Sequence, residues 1–303
     1  MMANAGVVLA IGKFESIHRG HRALIEETIR RAKQRGLASA VMVFEPHPIT
    51  VLGDSNYKPL FTGPERVCLL DEYGLDYIFP CPFNADFATL SPAAFCEKLF
   101  CEYHAREIIV GEDYRFGHNR VGTVETLRAE ASKYNGDVHV IEVMEDSGAV
   151  ISTSLIRNLL SANRLPEARK LLGFPFFVMG VTAKGRQLGR TLGFPTLNIY
   201  PDDDKFLLAD GVYATRTYIQ GEELQSITNI GLRPTVNAPD SAVKIRSVET
   251  FVFDLPEKFL DKELYSLQIK VEFLNFIRPE RRFDSLDDLK AQIQLDIKSI
   301  PAF

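Results

Sequence analysis

Apolar and polar residues follow two rhythms along this chain, and the change falls between Arg157 and Gly180. In the first half, short apolar runs alternate with helical stripes. Val7-Val8-Leu9-Ala10-Ile11 is one such run, and an unbroken stretch of this kind predicts a strand covered on both faces. A helix is predicted over 20–34, because Leu24, Ile25, Ile29 and Ala32 share one stripe and Gly36 supplies a stop. Residues 38–44 read as a second buried strand, and further strands are predicted at 76–79, 107–110 and 137–143. Buried strands alternating with helices imply a parallel α/β sheet, which binds ligands at the carboxyl ends of its strands.

The second half has a period of two. Leu267, Ile269, Val271 and Phe273 alternate with Gln268, Lys270 and Glu272. Residues 212–219 and 248–255 are also strand-like, and turn residues separate them, so an antiparallel barrel or sandwich is predicted. A closing helix carries Leu286, Leu289, Ile293 and Ile297, opened by Ser285 and Asp288 in a capping-box pattern. A linking helix is expected over 166–172, which divides the chain into domains 1–172 and 173–303.

Composition agrees with two globular domains: 303 residues, 46% hydrophobic and 25% charged, which excludes a disordered chain or a coiled coil. The net charge of −5 argues against a nucleic-acid surface but leaves room for one small phosphorylated ligand. No stretch approaches the ~18 apolar residues of a membrane span. Residues 1–11 lack a basic signal-peptide start. Cys68, Cys81, Cys96 and Cys101 form no CxxC pair, so free thiols and a cytoplasmic location are expected. With no coiled-coil seam, a monomer or weak homo-oligomer is expected.

The chemistry-bearing residues gather in a few segments. His18-Arg19-Gly20-His21 follows a buried strand and opens a helix. A helix start offers free N–H groups to phosphate, Gly20 permits close approach, and two imidazoles add donors. In isolation the four residues favour a plain polar helix cap; the strand before them and the helix after them reverse that preference. Ser152-Thr153-Ser154 and Arg157 offer hydroxyls and a guanidinium suited to a leaving pyrophosphate, or an ordinary cap and a surface arginine. In the second half, residues 184–198 hold Gly185, Gly189 and Gly193 at four-residue spacing, with Arg186 and Arg190. Thr196 and Asn198 lie two apart, hence on one side of a strand, as hard oxygen ligands for Mg²⁺ on nucleotide phosphates. A Gly/Arg surface loop is the plainer alternative. Glu249 shares a face with Phe251, Phe253 and Leu255, where a carboxylate is costly unless it is used or paired. It is a candidate base for an attacking hydroxyl. Asn229-Ile230-Gly231-Leu232-Arg233-Pro234-Thr235 reads as a polar turn.

Taken together, these segments resemble the bacterial bifunctional riboflavin kinase/FAD synthetase family over nearly the whole chain. The first half carries GxFxxxHxGH from Gly12 to His21, FEPHP from Phe44, GEDYRFG from Gly111, and the hydroxyl segment ending in Arg157. The second half carries GRTLGFPTLN, GVYA, NIGLRPT, VET and IRPERRF in order.

The resemblance implies an HxGH nucleotidyltransferase domain with a Rossmann-like parallel sheet, then a six-stranded Greek-key barrel with a C-terminal helix. The implied chemistry makes FMN from riboflavin and ATP, then FAD from FMN and a second ATP, with Mg²⁺. By resemblance, His18, His21 and Arg157 act on ATP in the first domain, with Gly12, Phe14, Gly20, Ser152, Thr153 and Ser154 lining its nucleotide site. Gly185, Arg190, Gly193, Pro195, Thr196 and Asn198 bind the second ATP, Thr196 and Asn198 through the metal, and Glu249 is the base. Asp113, Phe116 and Arg233 are the implied flavin contacts.

The family commonly reads GNFDGVHxGH; here Lys13, Glu15 and Ser16 replace Asn, Asp and Gly. If Ser16 sits at positive φ, it carries about 1 kcal/mol of strain that Gly would not. Leu155 stands where Arg is common, and Phe251 where His is frequent. Two other readings compete: a riboflavin kinase with a weak or silent first domain, and a non-catalytic flavin- or nucleotide-binding protein.

Overall fold

In the computed structural model, β1 (Val7–Ile11), β2 (Ala38–Glu45), β3 (Tyr77–Pro82), β4 (Ala105–Gly111) and β5 (Asp137–Ile141) form one parallel sheet in the order β3-β2-β1-β4-β5. The structure describes residues 6–53, 56–184, 193–234, 244–260 and 264–301. The chain divides into two compact units, Met1–Leu155 and Ile156–Phe303. Every residue of β1 is buried, as its unbroken apolar run requires of a central strand. The strands β2 and β4 flank β1 on opposite sides, so the loops leaving β1 and β4 diverge and open a crevice at their carboxyl ends.

Helices connect these strands: α1 (Arg19–Arg35), α2 (Pro48–Leu52), α3 (Gly63–Asp71), α4 (Ala85–Ala88), α5 (Pro92–Glu97) and α6 (Val124–Ser132). A small hairpin, β6 (Glu145–Asp146) and β7 (Ala149–Val150), precedes α7 (Thr153–Ser161) and α8 (Leu165–Leu172). Helix α1 is fixed across the sheet by Glu107 of β4, whose buried carboxylate meets Arg31 Nη1 at 2.5 Å and Arg35 Nη1 at 3.0 Å.

The ends of β3 and β5 differ from the sequence reading for physical reasons, and the strand read at 248–255 starts earlier and stops at Val252. Strand β3 runs on through Pro80 to Pro82, which an edge strand tolerates because its outer N–H groups have no ladder partner. Strand β5 stops at Ile141 because the Val143 N–H is diverted to Glu112 Oε1 at 2.9 Å.

The second unit is one curled antiparallel sheet. Its strands are β8 (Phe177–Val181), β9 (Thr196–Ile199), β10 (Gly211–Ile219), β11 (Glu222–Pro234), β12 (Lys244–Val252) and β13 (Gln268–Arg278), ordered β8-β13-β10-β11-β12-β9. Its edges approach each other where Ala183 bridges Asn198 just beyond β8. Gly180 makes this possible, since a Cβ there would lie 2.3 Å from Ile199 Cγ2. The sheet is therefore a barrel rather than a sandwich.

Tyr213, Phe177 and Phe273 are fully buried in this unit, together with a chain of buried hydroxyls: Thr217, Ser226, Thr215, Thr228 and Thr250 are linked at 2.8–2.9 Å. A short helix, α9 (Glu257–Leu260), precedes β13, and α10 (Leu286–Lys298) closes the described chain. Ile297 and Ile300 pack with Val212, Ala214, Ile227, Phe251 and Phe253, so α10 covers one face of the sheet. NIGLRP lies within β11 and is not the turn expected, because its residues pair one-for-one with β12.

Candidate active sites

The loop leaving β1 carries Gly12 and Phe14 into the sheet's crevice. Phe14 and Ile17 are fully buried at φ 42° and 45°, a conformation costing about 1 kcal/mol or more per residue, so packing must hold them there. Ser16 is absent from the positive-φ positions, so the strain expected of it falls on its neighbours instead. Its hydroxyl lies 2.9 Å from Thr153 Oγ1 at the start of α7.

His18 is the N-cap of α1, and its Nδ1 accepts from His21 N at 3.3 Å. Its proton is therefore on Nε2 when neutral. The two imidazoles stack 3.9 Å apart at 12°. Burial lowers the His18 pKa to about 4 and, with His18 and Lys13 beside it, holds His21 well below its usual value. His21 Nδ1 is buried without a hydrogen-bond partner among the described residues. Near neutral pH this is a pair of neutral imidazoles at a helix start, one with an unmatched nitrogen, which suits phosphate oxygens arriving with their own counter-charge. Gly20 is tightly confined, since a Cβ there would stand 3.2 Å from the His18 ring.

Glu15 is the centre of a buried cluster that no spacing pattern announced. Its Oε2 accepts from Tyr57 Oη at 2.5 Å and lies 3.4 Å from His47 Nε2, while Oε1 accepts from Leu60 N at 3.0 Å. His47 belongs to FEPHP, caps α2 through Nδ1 and stacks on Tyr57. Glu15 thus ties the β1 loop to the β2 loop.

The other expected residues of the first domain have varied settings. Ser152 Oγ accepts from Leu155 N at 3.3 Å, and Ser154 is exposed. Asp113 is exposed on the loop after β4, whereas Phe116 packs in the core against Phe95 and Tyr114. The Arg157 guanidinium lies over the Phe206 ring at 5.0 Å, within the second unit.

In the barrel, register brings three polar residues into one row. Asn198 of β9 stands opposite Glu249 of β12, which stands opposite Asn229 of β11. Asn198 is 3% exposed, and its Nδ2 donates to Thr196 O at 3.1 Å. Its Oδ1 is buried with no hydrogen-bond partner among the described residues. An unmatched carbonyl oxygen beside a threonine is a donor set that would suit a hard divalent cation. Glu249 is half-buried and accepts from Ser247 Oγ at 3.1 Å. Phe251 lies opposite Thr196 and meets Phe194 edge-on at 5.2 Å. Gly193 stands at φ 86° and Pro195 is exposed. Arg233 is on β11, opposite Ile245. Gly185 and Arg190 lie outside the described residues.

The sequence reading also missed an anchor of IRPERRF. Asp296 of α10 is 3% exposed and accepts from Arg278 Nε at 3.1 and 3.0 Å.

Comparison with known proteins places a known family model on each half of the chain. The FAD synthetase family model matches residues 1–155 and the riboflavin kinase model residues 172–303. Bifunctional riboflavin kinase/FMN adenylyltransferases are similar over nearly full length. The Bacillus subtilis protein is 32% identical over 95% of this chain and 90% of its own length. The Escherichia coli K12 protein is 34% identical over 96% of this chain and 90% of its own. The chain belongs to the bifunctional riboflavin kinase/FMN adenylyltransferase family.

Both family models fall on one chain, which supports a bifunctional transferase over a kinase alone or a binding protein. A crystal structure described as a macrolide-efflux protein from Streptococcus pneumoniae is also similar, with TM-score 0.84 and 28% identity over 98% of this chain and 94% of that one. Among the described residues, no helix is long and apolar enough to cross a membrane.

Proposed function

We propose that this chain phosphorylates riboflavin to FMN at the barrel and adenylylates FMN to FAD at the parallel sheet, each reaction using one ATP. The observation that carries the kinase reading is the Asn198–Glu249 pairing, with Asn198 Oδ1 buried and unmatched. Glu249 takes the proton of the flavin's terminal ribityl hydroxyl, and that oxygen attacks the γ-phosphorus while ADP leaves. Thr196 and Asn198 would hold Mg²⁺, whose charge offsets that of the phosphates. Gly193 and Pro195 border the same nucleotide.

In the second reaction an FMN phosphate oxygen attacks the α-phosphorus, and pyrophosphate leaves. His18 and His21 steady the phosphates from the start of α1, with Gly12, Phe14 and Gly20 shaping the turn. Ser152, Thr153 and Ser154 serve the departing pyrophosphate. Asp113 and Phe116 remain proposed flavin contacts of this reaction, with Phe116 acting by packing behind the loop, while Arg233 is a proposed flavin contact of the kinase reaction only. Positioning and charge carry both transfers. A cytoplasmic setting fits four free thiols.

The test is a time course of purified protein with riboflavin, excess ATP and Mg²⁺, resolved by chromatography. FMN followed by FAD is expected; FMN alone would remove the second reaction.

A further inference from the structure

Glu280 lies just after β13, in the IRPERRF segment, and reaches back onto β11. Its Oε1 accepts from Asn229 Nδ2 at 2.8 Å. A carboxylate has no proton to donate here, so this contact decides which end of the Asn229 amide faces Glu280 and turns the accepting Oδ1 away from it. Asn229 stands directly opposite Glu249. Gly231, two residues on, is paired with Ser247, whose hydroxyl donates to Glu249 Oε1. A Cβ on Gly231 would lie 2.1 Å from Glu280 Oε1. The glycine therefore leaves the space that the Glu280 carboxylate occupies.

We infer that Asn229 is a substrate contact of the kinase site, its Oδ1 accepting from a ribityl hydroxyl of the flavin, and that Glu280 is the positioning residue that orients its amide. The inference rests on the assignment of Glu249 as the base. Glu249 receives the proton of the reacting hydroxyl, and the adjacent strand offers an acceptor for the next hydroxyl of the polyol. Without Glu280 the amide is free to turn, presenting N–H where an acceptor is required.

The experiment is steady-state FMN formation by full-length Glu280→Ala, Glu280→Gln, Gly231→Ala and Glu249→Gln, with thermal unfolding of each variant as the check that the barrel is folded. Glu280→Ala is expected to raise the riboflavin KM about tenfold with the ATP KM unchanged, the loss of one hydrogen-bonded orientation. Glu280→Gln keeps an accepting oxygen and should restore KM to within about threefold of the parent. Gly231→Ala displaces the Glu280 carboxylate and should reproduce Glu280→Ala. An unchanged riboflavin KM in Glu280→Ala, an ATP KM that rises equally, or no rescue by Gln overturns the proposal. FMN formation that survives Glu249→Gln overturns the base assignment instead, a separate and distinguishable failure.

Discussion

Ser16 Oγ and Thr153 Oγ1 lie 2.9 Å apart, joining the loop after β1 to the first turn of α7 across 137 positions of sequence. Ser16 is fully buried, and its φ is not positive, so a glycine there would relieve no strain. Ser16→Gly would instead delete the contact and loosen the loop. The expected cost is about 1–2 kcal/mol of stability, together with slower FAD formation and unchanged FMN formation. Thermal unfolding and the two product assays decide it, and faster FAD formation would refute it.

Glu15 gives a related expectation. Aspartate is one methylene shorter and does not span from the β1 loop to Tyr57 Oη, Leu60 N and the His47 ring together. Glu15→Asp should leave part of this buried cluster unmatched, at about 1–3 kcal/mol. Restoring all three family residues, as Lys13→Asn, Glu15→Asp and Ser16→Gly, should therefore lower FAD output. A rise in output would show that this chain's substitutions impair its site.

The imidazoles set a pH dependence whose sign is determined. His18 has a folded pKa of about 4, below its unfolded value of 6.5, so the unfolded chain binds more protons between these values. Its contribution is complete above about pH 6.5 and is lost as pH falls toward 4, with a full extent of about 3 kcal/mol. His21 is lowered as well and acts in the same direction. His18→Asn keeps a capping oxygen for His21 N but does not titrate. Denaturant unfolding at a series of pH values from 7 to 4 should give a flatter profile for that variant; equal slopes would mean that His18 is not the source.

What the sequence disclosed and what it hid follow from the range of the interactions. The covered β1 strand, the α1 stripe and the alternation of β13 are local patterns, so they were readable. So was the Thr196–Asn198 spacing, since a strand alternates every residue. Glu15 was visible only as a departure from a motif, because its partners Tyr57 and Leu60 arrive from more than 40 positions away. Glu280 was hidden for the same reason, and Asp296 because its partner Arg278 sits on a different element 18 positions away. NIGLRP looked like a turn because Gly and Pro usually mark one, yet here the glycine makes room for a carboxylate within a strand.

Asn198 offers the sharpest separation of the two reactions. Its Oδ1 is buried and unmatched among the described residues, a state that costs free energy unless a ligand completes it. Asn198→Ala removes that oxygen and, with it, a proposed Mg²⁺ ligand. The change also deletes the cost of burying an unmatched group, so the protein alone should be no less stable by more than about 1 kcal/mol. FMN formation should fall about a hundredfold, corresponding to roughly 3 kcal/mol of lost charge stabilisation, and extra Mg²⁺ should recover only part of it. FAD formation from supplied FMN should stay within about twofold, because that reaction belongs to the other unit. Parallel loss of both products would contradict independent sites, and full FMN formation would remove Asn198 from the metal. Only an intact fold with FMN synthesis selectively lost fits a buried oxygen held ready for a cation.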